Sequence, residues 1–121
     1  MDMLRFPLFG QGKGWSGEYG SPDDPADFKT LFAYSPLHNV RPGTRYPATL
    51  IVTADHDVRV APLHSYKFAA ALQAAQAGPK PILLRVETTS GHGGGTTMTS
   101  QIDQSAELFA FFANALGMTL R

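Results

Sequence analysis

The chain has 121 residues, with ten Lys and Arg against ten Asp and Glu and no cysteine. That length fits one small domain burying roughly two thirds of the surface its unfolded form exposes, and the balanced charge offers no footprint for a nucleic acid or an anionic membrane. Without cysteine these residues hold no disulfide framework, thiolate nucleophile or thiolate zinc site, and their apolar runs fall short of the ~20 residues that a membrane-spanning helix needs.

Residues 1–22, "MDMLRFPLFGQGKGWSGEYGSP", mix glycine and aromatics without a sustained period. They predict a short helix or turn followed by an ordered loop. "DDPADFKTLFAYSP" then carries a helix signature: Asp24 caps, Pro25 fits the first helical position, Asp27 falls where an acid meets free amides, and Pro36 stops the helix. The run "PATLIVTA" from Pro47 to Ala54 is apolar without strict alternation, which predicts a strand of a parallel sheet covered on both faces.

From Pro62 the period changes. Phe68, Ala71, Leu72 and Ala75 form an apolar helical face, with Gly78 and Pro79 expected to end it. "PILLRVE" is a second strand, and "SGHGGGTT" is a sharp, flexible connection. Ile102, Ala106, Phe109 and Leu116 then line one side of a final helix that Gly117 terminates. The predicted order is helix, strand, helix, strand, helix, an α/β arrangement with polar loops at the carboxyl ends of both strands. Open α/β sheets place ligands and chemistry at that edge.

"VTADHDVRVAP" gathers Asp55, His56, Asp57 and Arg59 at the mouth of the first strand, and His92 leaves the second. A right-handed crossover brings Asp57 and His92 within reach of each other. An Asp accepting from one ring nitrogen fixes the tautomer and stabilises an imidazolium, leaving the other nitrogen to act as base. Other readings of the same residues stay open. Strand-end aspartates make Asx-turns, a glycine-flanked histidine serves as an exposed turn residue, and the set Asp55, His56, Asp57 and His92 offers ligands to a divalent metal.

"YSPLHNV", "YPATLIVTADHDVRVAPLHSYKF" and "SGHGGG", followed by a Phe-rich terminal helix, resemble the C-terminal end of the catalytic domain of the prolyl oligopeptidase (prolyl endopeptidase) family. The likeness covers nearly the whole chain from "MDMLRF" onward. It implies a partial α/β-hydrolase fold with two parallel strands and flanking helices, and a serine-type endopeptidase cleaving after proline. Position by position, it implies that Asp57 is the triad acid and His92 the triad base. Arg59 is implied to hydrogen-bond a substrate carbonyl, Trp15 to stack on the proline ring, and Val60 to wall the same pocket. An indole offers a flat apolar face and a guanidinium a fixed donor fork, although Trp15 also reads as core packing and Arg59 as a solvated strand-end charge. Asp55 and His56 are expected to stabilise the loop through backbone hydrogen bonds, and His38 and His64 to be structural. Many relatives carry an acid directly after the triad acid, where this chain has Val58.

No G-x-S-x-G elbow occurs, and Ser16, Ser21, Ser35, Ser65, Ser90, Ser100 and Ser105 all lack the strand–turn–helix setting of that nucleophile. Residues 1–121 are therefore expected to be the C-terminal portion of a serine peptidase catalytic domain without its nucleophile elbow or β-propeller. Met1 is then an internal methionine of a longer parent, reached through a fragment, a cleavage product or a truncated reading frame. The implied partners are proline-containing peptides and the N-terminal part of the same enzyme, or self-association in its place. No cofactor or metal is implied. The expected compartment is cytoplasmic, with a periplasmic or secreted parent as the alternative. Two further readings are a related serine aminopeptidase or esterase, and a noncatalytic binding or structural module of hydrolase descent.

Overall fold

The computed structural model describes residues 2–93 and 97–119. Two 3-10 turns, Phe6–Leu8 and Gly12–Trp15, lead into α1 (Ser16–Tyr19) and α2 (Pro25–Tyr34). A third turn, Leu37–Asn39, precedes β1 (Thr49–Ala54), α3 (Leu63–Ala75), β2 (Ile82–Glu87) and α4 (Met98–Ala115). The N-terminal stretch is thus more helical than its lack of period predicts. Its short turns close locally, as in Leu8 N–H to the Arg5 carbonyl at 3.1 Å, and the Phe6 and Tyr19 rings lock it edge to face at 5.8 Å.

α2 starts where the sequence places it, because Asp24 Oδ1 accepts from the amides of Ala26 and Asp27 at 2.8 and 3.1 Å. Asp27 lies in the first turn as expected, and its Oδ2 accepts from the Ser21 amide at 2.9 Å in the loop before the helix. Ser35 turns extended ahead of Pro36 and ends the helix.

β1 and β2 are parallel, with Cα partners running from Thr49↔Ile82 to Ala54↔Glu87. Alternation sends Ile51, Ile82 and Leu84 toward α3, where Ala69 and Leu72 complete a buried cluster. Each Ile or Leu buried there contributes roughly 1.5–3 kcal/mol. The register is set at the other end by Gln76. Its side-chain oxygen accepts from the amides of Tyr46 and Gly78, both at 2.9 Å, and its amide nitrogen donates to the carbonyls of Tyr46 and Lys80 at 3.0 and 2.9 Å. The chain entering β1 is thereby stitched to the chain entering β2. This also moves the end of α3, since Gln76, rather than Gly78, leaves the helical conformation.

Coverage of the sheet is incomplete among the described residues. Val52 and Leu83, on the face toward α4, remain 38% and 46% exposed. α4 also turns the other way round: Ile102, Phe109 and Leu116 are 59%, 71% and 74% exposed, while Gln104, Leu108, Phe111 and Ala115 are partly buried. Apolar residues occupy two sides of this helix, and polar anchors choose between them. Arg85 pairs with Glu107, and Ser100 Oγ donates to Glu87 Oε2 at 3.0 Å. Gly117 ends the helix as expected, in a Schellman closure with Met118 N–H on the Ala113 carbonyl at 2.8 Å and Gly117 N–H on that of Asn114 at 3.1 Å.

Candidate active site

Asp57 and His92 leave the carboxyl ends of adjacent parallel strands and meet there. His92 Nδ1 lies 2.8 Å from Asp57 Oδ2 across a sequence separation of 35. The acid is fixed by its own loop, because Oδ1 accepts from the amides of Arg59 and Val60 at 2.9 and 2.8 Å. Burial works to raise the Asp57 pKa, but the Val60 amide, the His92 ring and the Arg59 amide together outweigh it and hold the carboxyl below its ordinary value. An ionised carboxylate only accepts, so the shared proton sits on Nδ1 of His92. Nε2 makes no hydrogen bond among the described residues, and the ring is 46% exposed. An oriented imidazole with one free nitrogen can take and return a proton.

The histidine loop closely approaches the loop that follows β1. A Cβ at Gly91 would stand 3.1 Å from the His56 carbonyl oxygen, so a side chain there would push the loop away from Asp57. Gly94, Gly95 and Thr96, the rest of the connection expected to be flexible, lie outside the described residues, as does Met1. A cavity of about 230 Å³ opens beside the pair, lined by Thr53, Ala54, Asp57, Glu87, His92 and Gln104 among others.

Arg59 and Val60 follow on the Asp57 loop, and both are exposed. Trp15, half-buried, comes from the N-terminal segment, which docks on that loop through Gln11 N–H to the Arg59 carbonyl at 3.4 Å. Gly10 makes the approach feasible: its φ is +55°, and a Cβ there would lie 3.0 Å from the Val58 carbonyl oxygen. The segment is held behind this contact by a buried polar knot. Asp2, 1% exposed, pairs with Lys67, and its Oδ1 accepts from the amides of Leu4 and Arg5, both at 3.1 Å. Its amide donates to Nδ1 of buried His64 at 3.4 Å, while Met3 N–H donates to Ser35 Oγ at 3.1 Å, itself 2.7 Å from His38 Nδ1. Burial pushes the His64 ring below its ordinary pKa, as suits a neutral acceptor. His38 and His64 thus sit in structural hydrogen bonds.

Asp55 ties the loop to the end of β2 through its backbone amide, which donates to the Glu87 carbonyl at 2.9 Å, while its side chain turns elsewhere. Its carboxylate accepts from the Tyr66 hydroxyl on α3, and the backbone amides of the loop go to Asp57 instead. Among the described residues no group of three or more His, Asp or Glu is arranged to hold a metal ion. Val58 is 76% exposed, and His56 is exposed. Glu87 and Gln104 line the cavity without having been singled out from sequence. Glu87 ended a strand pattern and Gln104 lay within a helix pattern, so only the register shows where they converge.

Comparison with known proteins identifies the family. The profile of the prolyl oligopeptidase family matches residues 1–119. The chain is 45% identical over 119 residues to a prolyl endopeptidase of Elizabethkingia miricola, covering 98% of this chain and 17% of that one. It superposes with a TM-score of 0.94 and 48% identity on a structure from a study of two prolyl endopeptidases, covering 98% of this chain and 18% of that one. Prolyl oligopeptidase B from Galerina marginata, bound to a 35mer hydrolysis and macrocyclization substrate, gives a TM-score of 0.91 at 39% identity, over 99% of this chain and 17% of that one. The chain spans about one sixth of the length of the curated relatives it matches. With a family profile matched across almost every residue and a small parallel sheet flanked by helices, the chain belongs to the prolyl oligopeptidase family.

Proposed function

We propose that this chain supplies the general base, its orienting acid and part of the substrate pocket of a serine endopeptidase that cleaves peptides after proline. The observation that carries the reading is the 2.8 Å contact between His92 Nδ1 and Asp57 Oδ2 at the ends of adjacent parallel strands. A serine from outside these 121 residues attacks the carbonyl carbon after proline while His92 Nε2 takes the hydroxyl proton. The C–N bond breaks as the imidazolium returns that proton to the leaving amine, and water then releases the acyl group from the serine by the same relay. Asp57, kept anionic by its amide donors, stabilises the imidazolium throughout. Trp15 offers a flat apolar surface to the proline ring, Arg59 donates to the carbonyl preceding it, and Val60 adds an apolar wall.

The test is a full-length chimera in which this chain replaces the matching stretch of the Elizabethkingia miricola prolyl endopeptidase. The unsubstituted chimera is expected to hydrolyse a proline-containing peptide, and His92→Ala to lower kcat by about 10²–10⁴-fold with the fold intact. A folded but inactive unsubstituted chimera would favour a noncatalytic module. Unchanged turnover in the His92 variant would remove the base assignment.

A further inference from the structure

We infer that Glu87 is a positioning residue for His92, clamping the connection that carries the histidine on both sides through one buried carboxylate. The inference rests on His92 acting as the base, and it concerns what holds that base in place. A ring that shuttles a proton has to stay close to its productive geometry.

Glu87, the last residue of β2, is 8% exposed. Before the histidine, its Oε1 accepts from the Thr89 amide at 3.0 Å and from the Thr89 hydroxyl at 2.6 Å. After the histidine, its Oε2 accepts from Ser100 Oγ in the first turn of α4 at 3.0 Å. Arg85 Nη2 approaches the same oxygen at 3.5 Å, and the Arg85 Nε–Glu107 pair fastens α4 a second time. The two ends of the connection are therefore referred to one point on the sheet, in the same ladder that ends beside Asp57 at Ala54↔Glu87.

Glu87 lines the cavity with Asp57 and His92, yet among the described residues the four donors to its carboxylate are on Arg85, Thr89 and Ser100. It acts through the loop and not on the ring. The donor count demands an ionised carboxylate: a glutamine has one acceptor oxygen and cannot serve Thr89 and Ser100 equally. An aspartate keeps the charge but is one methylene shorter, so it reaches one end better than both.

The experiment uses the same full-length chimera, with Glu87→Ala, Glu87→Gln, Glu87→Asp and Ser100→Ala compared with His92→Ala. Two readouts are taken: kcat and KM on a proline peptide, and the proton resonance of the His92 Nδ1–H···Asp57 hydrogen bond. Glu87→Ala is expected to lower kcat about tenfold or more at nearly constant KM, since displacement of a reacting group by about 1 Å costs up to 10²-fold. The Nδ1 proton signal should broaden or vanish together with kcat, and Glu87→Asp should restore part of both. Ser100→Ala removes only the far anchor, so it reports even if Glu87→Ala fails to fold; kcat should fall severalfold with an unchanged melting temperature. Folded Glu87→Gln and Ser100→Ala variants with full kcat and an undisturbed Nδ1 signal would overturn the inference. Were His92→Ala fully active, the base assignment itself would fall; an inactive His92→Ala beside fully active Glu87 and Ser100 variants would sink the clamp alone.

Discussion

Asp57 faces His92 with one carboxylate oxygen, 2.8 Å from Nδ1, and its own loop with the other, which accepts from the amides of Arg59 and Val60. The acid is oriented by the backbone it belongs to before it orients the histidine. Its two oxygens have separable roles, and substitution can divide them.

Asp57→Asn in the chimera should keep the loop, since one amide oxygen can still accept from Arg59 and Val60, while presenting a donor where His92 Nδ1 needs an acceptor. Turnover is expected to fall by at least about 10³-fold through the wrong tautomer, with little change in stability. Asp57→Ala should lose the same activity and also about 0.5–1.5 kcal/mol of stability, because the Arg59 and Val60 amides lose their acceptor. Paired kinetics and urea unfolding of the two variants decide it; equal stability in both would show that the amide contacts carry no weight.

Under the proposed function, Trp15 and Arg59 act in recognition. Trp15→Ala is expected to reduce the kcat/KM preference for proline over alanine substrates by about tenfold or more, a change of order 1–3 kcal/mol in transition-state binding. Arg59→Ala should lower kcat/KM for peptides extending beyond one residue before the bond, and leave shorter ones little affected. An unaltered proline-to-alanine ratio in the Trp15 variant would exclude the indole from the pocket.

Glu87 has a distinct acid signature. The Thr89 hydroxyl and amide, then the Ser100 hydroxyl, pull its pKa down to about 2 from an ordinary 4.5. Because the folded value is the lower one, these bonds favour the fold above pH 4.5, and their contribution is lost as pH falls from there through about 2. A carbon-13 titration of the Glu87 carboxyl in the chimera should show its midpoint near the lower value. A midpoint at the ordinary glutamate value would mean that the clamp is open in solution.

The isolated chain should not persist as a well-protected monomer. β1 is paired on one edge only among the described residues, and Val52, Leu83, Ile102, Phe109 and Leu116 stand exposed. An unpaired strand edge beside apolar surface favours association. Light scattering is expected to find oligomers or aggregates, and co-expression with the N-terminal portion of a relative to give one species with slow amide exchange in both strands. A monodisperse chain with slow exchange throughout β1 and β2 would contradict this.

The elements that carry their own punctuation were legible in the sequence. Asp24 and Pro25 announce α2, Gly117 ends α4, and the apolar runs into Ala54 and Glu87 mark two parallel strands whose ends meet at Asp57 and His92. What the sequence did not disclose depends on distant partners. The link from Asp2 to His64 spans 62 positions, and that from Tyr46 to Gln76 spans 30. No local period announces either one. α4 shows the limit most directly, because periodicity named an apolar side at Ile102 and Phe109, while Ser100 and Glu107, bonded to the sheet, turned that side outward. Asp55 and Asp57 looked alike as strand-end acids. The family resemblance singled out Asp57, and the placement of Tyr66 and His92 shows the physical difference between them.

The parallel register from Thr49↔Ile82 to Ala54↔Glu87 has a consequence for how correct folding can be recognised. Helix content and even strand content survive a slipped ladder, whereas a slip of one residue reverses the face of every side chain on the displaced strand. Asp57 follows one strand and His92 the other, so their hydrogen bond works as a vernier that closes at a single alignment. A downfield Nδ1 proton on His92 would therefore certify the register of the sheet, in molecules for which circular dichroism alone would pass a misaligned fold.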